Sequence, residues 1–371
     1  MKIPAARVYF PEKDREEILN RIDEILKSGY LTLGKYTKEF EDKFSEYIGT
    51  RYAVAVNSGT SALEIILRAL NISGHSIIVP TNTFFATPAS VLHAGCKVIF
   101  SDITENLCMD PESLKENIRK DTKAVIVVHI GGIIPPQIYE IQEICEDYNL
   151  FLIEDAAHAH GSTLDGKKAG CFGVAAAFSF YPTKVITSGE GGMITTNNDE
   201  IYKRALILRD QGKAGFHSNV HVELGYNWRM SEIHAVIGLS QLNRIDEFIE
   251  SRRKIARIYD IELRKLGLER IKIPANVKSN YYKYIVFLDK GVDRTSIKQK
   301  LKEKFGVSLS GEVYELPCHL QPIFKEMFGF KGGEYPMAEE LCSRHICLPI
   351  YPTMTEDEAK YVIKSLEEVL K

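Results

Sequence analysis

The sequence predicts an α/β fold, in which a large domain with a mostly parallel central sheet covered by helices precedes a smaller C-terminal α+β domain. Short and almost wholly apolar segments alternate with helical segments through most of the chain, as in sheets that are buried on both faces. Beyond Gly267 the pattern changes to strand, helix, short strand and final helix. We therefore expect a large domain over residues 1–250 and a small one over residues 251–371.

The composition is that of a soluble globular protein with room for a large core. Of the 371 residues 44% are hydrophobic, and 47 basic and 50 acidic residues leave a net charge of −3. This balance provides no basic surface for nucleic acid. The first residues lack the apolar core of a signal peptide, and no apolar run is long enough to span a bilayer. We expect a cytoplasmic protein without membrane or nucleic-acid partners.

The seven cysteines include no CxxC pair, which argues against a disulfide framework or a structural zinc site. Cys347 lies in the apolar stretch ICLPI, and a free cysteine there behaves as a small hydrophobic residue. Cys342 and Cys347 are therefore predicted to be structural thiols rather than a redox pair.

Two helices open the chain. The first is predicted over Glu12–Lys27, with Ile18, Ile22, Ile25 and Leu26 on its buried face, and the second over Thr37–Tyr47. The loop between them, SGYLTLGKY, is typical of a plain connector.

The strands and helices then alternate. The predicted strands of the sheet are Tyr52–Val56, Ile77–Pro80, Lys97–Ser101, Ala124–His129, Leu150–Glu154, Val174–Phe178 and Met193–Thr196. A helix capped by Ser231 is expected to continue through the charged stretch to Leu263. The C-terminal part is predicted to contain the strand Tyr282–Leu288, the helix Thr295–Phe305 and a last helix that begins with a capping box at Thr355 and Glu358.

Ligands of such sheets bind beyond the carboxyl ends of the strands. Gly59, Phe84, Asp155 and Ser179 all follow strand ends, so one pocket could hold all four. Gly59 and Thr60 belong to the turn NSGT, which joins a strand to a helix and could bind an anion with its free backbone N–H groups. The alternative is that a hydroxyl of this turn is only the helix cap.

Lys184 lies between an apolar strand and the glycine-rich turn GEGG. Most lysines are solvated surface charges, and this stretch alone does not distinguish Lys184 from them.

The segment FLIEDAAHAHG leaves three possibilities for its acids and histidines. Asp155, His158 and His160 could bind a metal, an acid could be a structural cap, or Asp155 could pair with a cationic ring nitrogen.

Pyridoxal phosphate requires a Schiff-base lysine, an acid for its ring nitrogen, a phosphate cradle and a side chain that stacks on its ring. Lys184 and Asp155 supply the first two, and the turn at Gly59 and Thr60 with Ser179 supplies the cradle. Phe84 supplies the stacking ring. A metal site would leave Lys184 and the glycine-rich turn without a role.

The same segments resemble the DegT/DnrJ/EryC1/StrS family, the nucleotide-sugar aminotransferases of pyridoxal-phosphate fold type I. The similarity extends over nearly the whole chain, through SGYLTLGKYTKEFE, NSGTSAL, TFFAT, IEDAAHAHG, FSFYPTKVITSGEGG, LGYNWRMSEI, CHLQPIF and CLPIYP. The resemblance implies an aspartate-aminotransferase-like fold and a pyridoxal 5'-phosphate cofactor. It implies cofactor attachment at Lys184, a ring-nitrogen partner at Asp155, ring contacts from His158 and Phe84, and phosphate contacts from Gly59, Thr60 and Ser179.

The resemblance also implies a homodimer with composite active sites, in which the loop GYN places Asn227, and less directly Arg229, at the cofactor phosphate of the neighbouring subunit. The alternative for this loop is a local cap with Trp228 packed in the core of its own subunit. The activity implied is transamination, with glutamate as donor and a nucleotide-linked keto-sugar as acceptor. Two alternatives stay open, namely a cofactor-binding regulator without turnover and a metal-dependent hydrolase.

Overall fold

The computed structural model describes residues 1–371, and a seven-stranded sheet forms the centre of the fold. In chain order the strands are β1 (Tyr52–Val56), β2 (Ser76–Pro80), β3 (Lys97–Ser101), β4 (Thr122–Val128), β5 (Phe151–Asp155), β6 (Thr163–Leu164), β7 (Lys167–Lys168), β8 (Ala175–Ser179), β9 (Gly192–Thr196), β10 (Glu269–Arg270), β11 (Val277–Lys278), β12 (Tyr284–Phe287) and β13 (His345–Leu348). The large sheet has the order β1-β9-β8-β5-β4-β2-β3. Only β9 is antiparallel to its neighbours, β1 and β8, which confirms the predicted α/β fold with a mostly parallel sheet.

Helices cover both faces of this sheet. The helices of the whole chain are α1 (Glu12–Ser28), α2 (Lys35–Ile48), α3 (Gly59–Ala69), α4 (Ala86–His93), α5 (Pro111–Asn117), α6 (Ile138–Asp147), α7 (Asp199–Arg209), α8 (Glu232–Leu242), α9 (Ile245–Leu266), α10 (Arg294–Phe305), α11 (Pro322–Phe328), α12 (Pro336–Arg344) and α13 (Glu356–Leu370). Successive residues of a strand point to opposite faces. Ala53 and Ala55 of β1 accordingly pack into one hydrophobic cluster, while Val54 and Val56 pack into the other. No helix combines the length and the apolar character that crossing a membrane requires.

The C-terminal part has its own sheet and core. Strands β10, β12 and β13 form an antiparallel sheet, and α9, α10 and α13 contribute to a third hydrophobic cluster around Tyr259 and Leu366. Ile3 from the N-terminus also packs in this cluster. The division of the chain at residue 250 stays a prediction. The capping box at Thr355 and Glu358 is confirmed.

The predicted single helix from Ser231 to Leu263 is wrong, because the chain forms two helices there. Ser231 does cap α8, its hydroxyl accepting from the amide of His234. Arg244 then leaves the helical conformation, with φ −112° and ψ 3°, and α9 begins at the next residue. The guanidinium of Arg244 pairs with Asp14 of α1, which fixes the break against the N-terminal helix.

The predicted buried face of the first helix is also wrong in part. Ile18 and Ile25 are buried and Ile22 is half-buried, but Leu26 is 62% exposed. With 3.6 residues per turn, Leu26 lies about 100° round the helix from Ile25. Three of the helices, α7, α11 and α12, and the two-residue strands were not predicted from the sequence.

All seven cysteines are free in the structure. Cys342 and Cys347 are both fully buried. The thiol of Cys342 donates to Oδ1 of Asn82 at 3.4 Å, so this cysteine joins α12 to the segment after β2.

Candidate active site

One cavity lies at the carboxyl ends of the parallel strands, at the edge where ligands bind in sheets of this kind. Its volume is about 410 Å³, and its walls come from the ends of β4, β5 and β8, from the start of α3 and from the C-terminal part of the chain. It brings together seven of the predicted site residues, which are Gly59, Thr60, Phe84, Asp155, His158, Ser179 and Lys184.

The first turn of α3 forms one end of this cavity. The Ser58 hydroxyl accepts from the amide of Ser61 at 3.1 Å, so Ser58 is the helix cap. The first amides of a helix have no intrahelical acceptor, and the dipole at this end favours an anion. The amides of Gly59 and Thr60, at the cavity wall, are thus suited to a phosphate group.

Ser179 completes this end of the cavity from the neighbouring strand β8. Its Oγ accepts from the amide of Tyr181 at 3.4 Å, which leaves its own proton for a ligand. A Cβ atom on Gly59 would lie 2.9 Å from Cβ of Ser179. Glycine at this position therefore allows α3 to approach β8 closely, and the two groups of donors face one pocket.

Asp155 is the last residue of β5 and is only 7% exposed. Its Oδ2 accepts from the Thr87 hydroxyl at 2.7 Å, and its Oδ1 accepts from the amide of Ala157 at 3.2 Å. Burial raises the pKa of Asp155, while these two hydrogen bonds and the nearby Lys184 oppose that rise. A cationic group in the cavity would stabilise the ionised form further.

The preceding acid, Glu154, has a structural role instead. It is fully buried, and Oε2 lies 2.7 Å from Nε2 of His129. The same carboxylate accepts from the amides of Gly170, Phe172 and Gly173 at 2.6–2.7 Å. The two adjacent acids therefore differ, because Glu154 binds backbone on one face of the sheet and Asp155 faces the cavity.

Lys184 is half-buried in the turn that follows β8. Its Nζ lies 5.0 Å from the ring centre of Tyr282, and it has no carboxylate within ion-pair distance. Burial lowers the pKa of the Lys184 ammonium, and Tyr282 and Asp155 oppose this effect. A lowered pKa increases the share of neutral amine, which is the form that attacks a carbonyl or accepts a proton.

His158 lies on an aromatic wall of the cavity. Its ring centre is 4.3 Å from that of Tyr282. Nδ1 accepts from the amide of Gly131 at 3.3 Å, which assigns the proton to Nε2, 3.2 Å from the Tyr314 hydroxyl. Burial lowers the pKa of His158 well below its usual value, so the wall presents a neutral ring.

Phe84 lies at the mouth of the cavity and is 58% exposed. Its ring centre is 5.7 Å from that of Tyr314. The ring is therefore available to a planar ligand, and its stacking role stays a prediction.

Asn227 and Arg229 do not line the cavity of their own subunit. Nη1 of Arg229 lies 2.6 Å from a carboxylate oxygen of Asp210. Asn227 is exposed, and its side-chain amide has no partner within the chain. Trp228 stacks on Tyr226 with ring centres 4.0 Å apart. A role of these residues in a neighbouring subunit stays a prediction.

The residues of the metal alternative do not form one ligand set. His160 is fully buried between Phe178 and Phe180, at ring-centre distances of 5.4 and 5.5 Å, and neither of its nitrogens has a hydrogen-bond partner. Three metal-ligating side chains come together only elsewhere, at His319, Glu334 and Glu339.

The residues present fit pyridoxal phosphate. A half-buried amine, a buried and oriented carboxylate, unpaired helix amides with a free hydroxyl, and an exposed aromatic ring all face one cavity. These are the groups that would bind the aldehyde, the ring nitrogen, the phosphate and the ring face.

Several residues of the site were not anticipated, namely Tyr181, Glu190, Tyr282 and Tyr314 of the cavity wall, and Thr87, which donates a hydrogen bond to Asp155. Thr87 ends the segment TFFAT, so its proximity to Phe84 is a local signal that could have indicated it. Tyr282 and Tyr314 come from the C-terminal part, and no local pattern connects them with the strand ends.

Comparison with known proteins places this architecture among sugar aminotransferases. Residues 12–367 match the DegT/DnrJ/EryC1/StrS aminotransferase family. The chain is 35% identical to the GDP-perosamine synthase of Escherichia coli O157:H7 over 369 residues, which cover 99% of this chain and 98% of the relative.

Two solved structures have nearly the same fold. DesV of S. venezuelae, in complex with a ketimine intermediate, superposes with a TM-score of 0.91 at 30% identity and covers 99% of this chain and 98% of its own. The PLP form of the putative sugar aminotransferase Spr1654 from Streptococcus pneumoniae superposes with a TM-score of 0.91 at 29% identity. The match covers 100% of this chain and 98% of the Spr1654 chain.

Proposed function

Since the chain belongs to the DegT/DnrJ/EryC1/StrS family of pyridoxal-phosphate-dependent sugar aminotransferases, we propose that it transfers an amino group from glutamate to a keto-sugar linked to a nucleoside diphosphate. The observation that carries the proposal is the single cavity in which Lys184, Asp155 and the amides of Gly59 and Thr60 face one another. The name of the GDP-perosamine synthase supports a nucleotide-linked acceptor.

Pyridoxal phosphate, when bound, supplies a carbonyl that takes up an amino group and a cationic ring that withdraws electrons from the substrate carbon. We assign the phosphate to the amides of Gly59 and Thr60 and to the hydroxyl of Ser179. Asp155 holds the proton on the ring nitrogen, and Thr87 and Ala157 keep its carboxylate in place. His158 and Phe84 flank the ring on the cavity walls.

Lys184 carries the proton in this proposal. Its neutral amine, favoured by burial, takes the proton from the α-carbon of the amino acid. In the second half of the cycle the same amine returns a proton at the sugar carbon that receives nitrogen. Tyr282 beside Nζ limits the positions that the amine can adopt.

We further propose that the active unit is a homodimer. The free amide of Asn227 reaches the phosphate site of the neighbouring subunit in this arrangement. Its exposure and its lack of an intrachain partner support this role. Arg229 already pairs with Asp210 and acts from a more constrained position.

The proposal is tested by following nitrogen. Purified enzyme is incubated with [¹⁵N]glutamate and a panel of keto-sugars linked to different nucleotides, and products are analysed by mass spectrometry. We expect ¹⁵N in one amino-sugar product with wild type and with Lys203→Ala, a change of an exposed lysine on α7, but not with Lys184→Ala. A wild-type enzyme that binds cofactor and labels no sugar in the panel would favour the regulator alternative.

A further inference from the structure

Two cations close to the active site have no anionic partner in the chain. Lys283, just before β12, is half-buried, and its Nζ makes no hydrogen bond or ion pair, lying 5.2 Å from the ring centre of Tyr282. Arg252 of α9 is 4% exposed and pairs with no carboxylate. Its Nη1 donates to the carbonyls of Tyr281 and Ile350 at 3.3 and 2.9 Å, and its Nε is buried without a partner.

Lys283 and Arg252 line the same small cavity, which has a volume of about 110 Å³. Its other polar wall groups include Thr183 and Ser310. Thr183 and Tyr282 line both this pocket and the active-site cavity, so the two spaces adjoin. We call the smaller one the cationic pocket.

Two acids in the surroundings of Lys283 are already bound to other groups. Glu312 accepts from Lys298 at 2.7 Å, and Asp260 pairs with Arg270 at 2.6 Å. Burial raises the pKa of the Cys347 thiol to about 12, so this group is neutral. Because burying an uncompensated cation costs free energy, two such cations at one pocket indicate that an anion from outside the chain belongs there.

We propose that Lys283 and Arg252 bind a carboxylate of the amino-acid donor while its α-carbon lies at Lys184. This assignment rests on the proposed transamination and names the part of the site that recognises the donor. It makes Lys283 a specificity-determining residue for the first half of the reaction.

The position and size of the pocket select the donor rather than the nucleotide-sugar. Nζ of Lys184 lies 5.0 Å from the centre of the Tyr282 ring, and Nζ of Lys283 lies 5.2 Å from the same centre. The distance between the two nitrogens is therefore at most the sum of these values, about 10 Å. An amino acid whose α-carbon lies at Lys184 and whose carboxylate contacts Lys283 fits within that limit. At about 110 Å³ the cationic pocket has roughly a quarter of the 410 Å³ volume of the active-site cavity, so it suits the smaller of the two substrates.

The first test measures binding without turnover. Glutarate, a dicarboxylate without an amino group, is titrated calorimetrically into the cofactor-loaded enzyme. Losing one charge-assisted contact should weaken binding by roughly 10- to 100-fold in Lys283→Met. Lys283→Arg should retain binding, and Lys278→Met, which changes an exposed lysine of β11, should match wild type.

Thermal unfolding of the same proteins guards against a folding defect. Without glutarate, Lys283→Met should unfold no lower than wild type, because the substitution removes a half-buried unpaired charge. Glutarate should raise the melting temperature of wild type but not of Lys283→Met. Equal glutarate affinity in wild type and Lys283→Met would overturn the proposal.

The second test separates the half-reactions in single-turnover experiments. Lys283→Met should slow the reaction of the loaded enzyme with glutamate by roughly 10- to 100-fold and leave the reaction with the keto-sugar unchanged. An effect on glutamate but not on alanine assigns the side-chain carboxylate, and an equal effect on both assigns the α-carboxylate. A loss confined to the keto-sugar half-reaction contradicts the proposal, while transamination itself would still stand.

Discussion

The hydroxyl of Thr87 donates a hydrogen bond of 2.7 Å to Oδ2 of Asp155, and this bond orients the buried acid toward the cavity. The hydroxyl oxygens of Thr83 and Thr87 lie 2.7 Å apart. The amide of Ala157 donates to Oδ1, the other carboxylate oxygen of Asp155, at 3.2 Å. The carboxylate is therefore fixed without help from a ligand. A charge fixed in advance stabilises a developing charge without the cost of reorganisation.

Asp155→Asn should fold and retain cofactor but lose turnover by roughly 100-fold or more, because an amide cannot supply the negative charge. The turnover number is measured at saturating donor and acceptor, and cofactor retention is read from the absorbance spectrum.

Thr87→Val is the matched control for orientation, since it keeps the shape and the charge but removes one hydrogen bond. The loss of this hydrogen bond should raise the activation free energy by about 0.5–1.5 kcal/mol, which lowers turnover by roughly tenfold at most. Turnover near that of wild type in Asp155→Asn would refute the role assigned to this acid.

The sheet edge and most of the site could be predicted because their signals are local. Asp155 and Ser179 lie at the ends of recognisable apolar strands, and Gly59 lies shortly after another. The parallel topology then places these strand ends together. The break at Arg244 was missed because it depends on a partner 230 positions away in sequence, Asp14.

The C-terminal side of the site could not be predicted for a similar reason. Tyr282 and Tyr314 reach the cavity from segments whose sequence shows no sign of contact with β5 or β8. The unpaired state of Lys283 is likewise a property of its three-dimensional surroundings, since a single lysine in SNYYKY has no special pattern.

Acid should destabilise the protein through His345. Its Nε2 accepts from the amide of Val313 at 2.9 Å, and its Nδ1 lies 2.9 Å from the carbonyl oxygen of Leu341, so only the neutral ring satisfies both contacts. Burial lowers the pKa of His345 from 6.5 to about 4. The unfolded chain therefore takes up the proton first as the pH falls. The contribution of the neutral His345 ring to the free energy of unfolding is therefore complete above pH 6.5 and is lost progressively toward pH 4.

In that window the free energy of unfolding should fall by up to about 1.4 kcal/mol per pH unit on account of this residue. Urea unfolding at a series of pH values measures the slope. His345→Gln should flatten it, whereas His217→Gln, a change of an exposed histidine, should not. An unchanged slope in His345→Gln would show that other groups control acid stability.

Mixing two inactive variants tests the composite active site. Lys184→Ala and Asn227→Ala are dissociated, combined and reassociated, and activity is compared with that of each variant alone. If subunits share sites, a mixed dimer has one site with both substitutions and one with neither, so up to half of the activity of a wild-type dimer returns. Mixed dimers that demonstrably form and stay inactive would mean that each site is built within one subunit.

The attachment of the cofactor at Lys184 is tested most directly by borohydride reduction followed by peptide mass mapping. We expect the reduced phosphopyridoxyl mass on the peptide that contains Lys184, and no trapped cofactor on Lys184→Ala protein. The neighbouring Lys283, which faces the same tyrosine ring, serves as an internal control and should stay unmodified. Trapping of the cofactor on Lys283, or undiminished trapping on Lys184→Ala protein, would contradict the assignment.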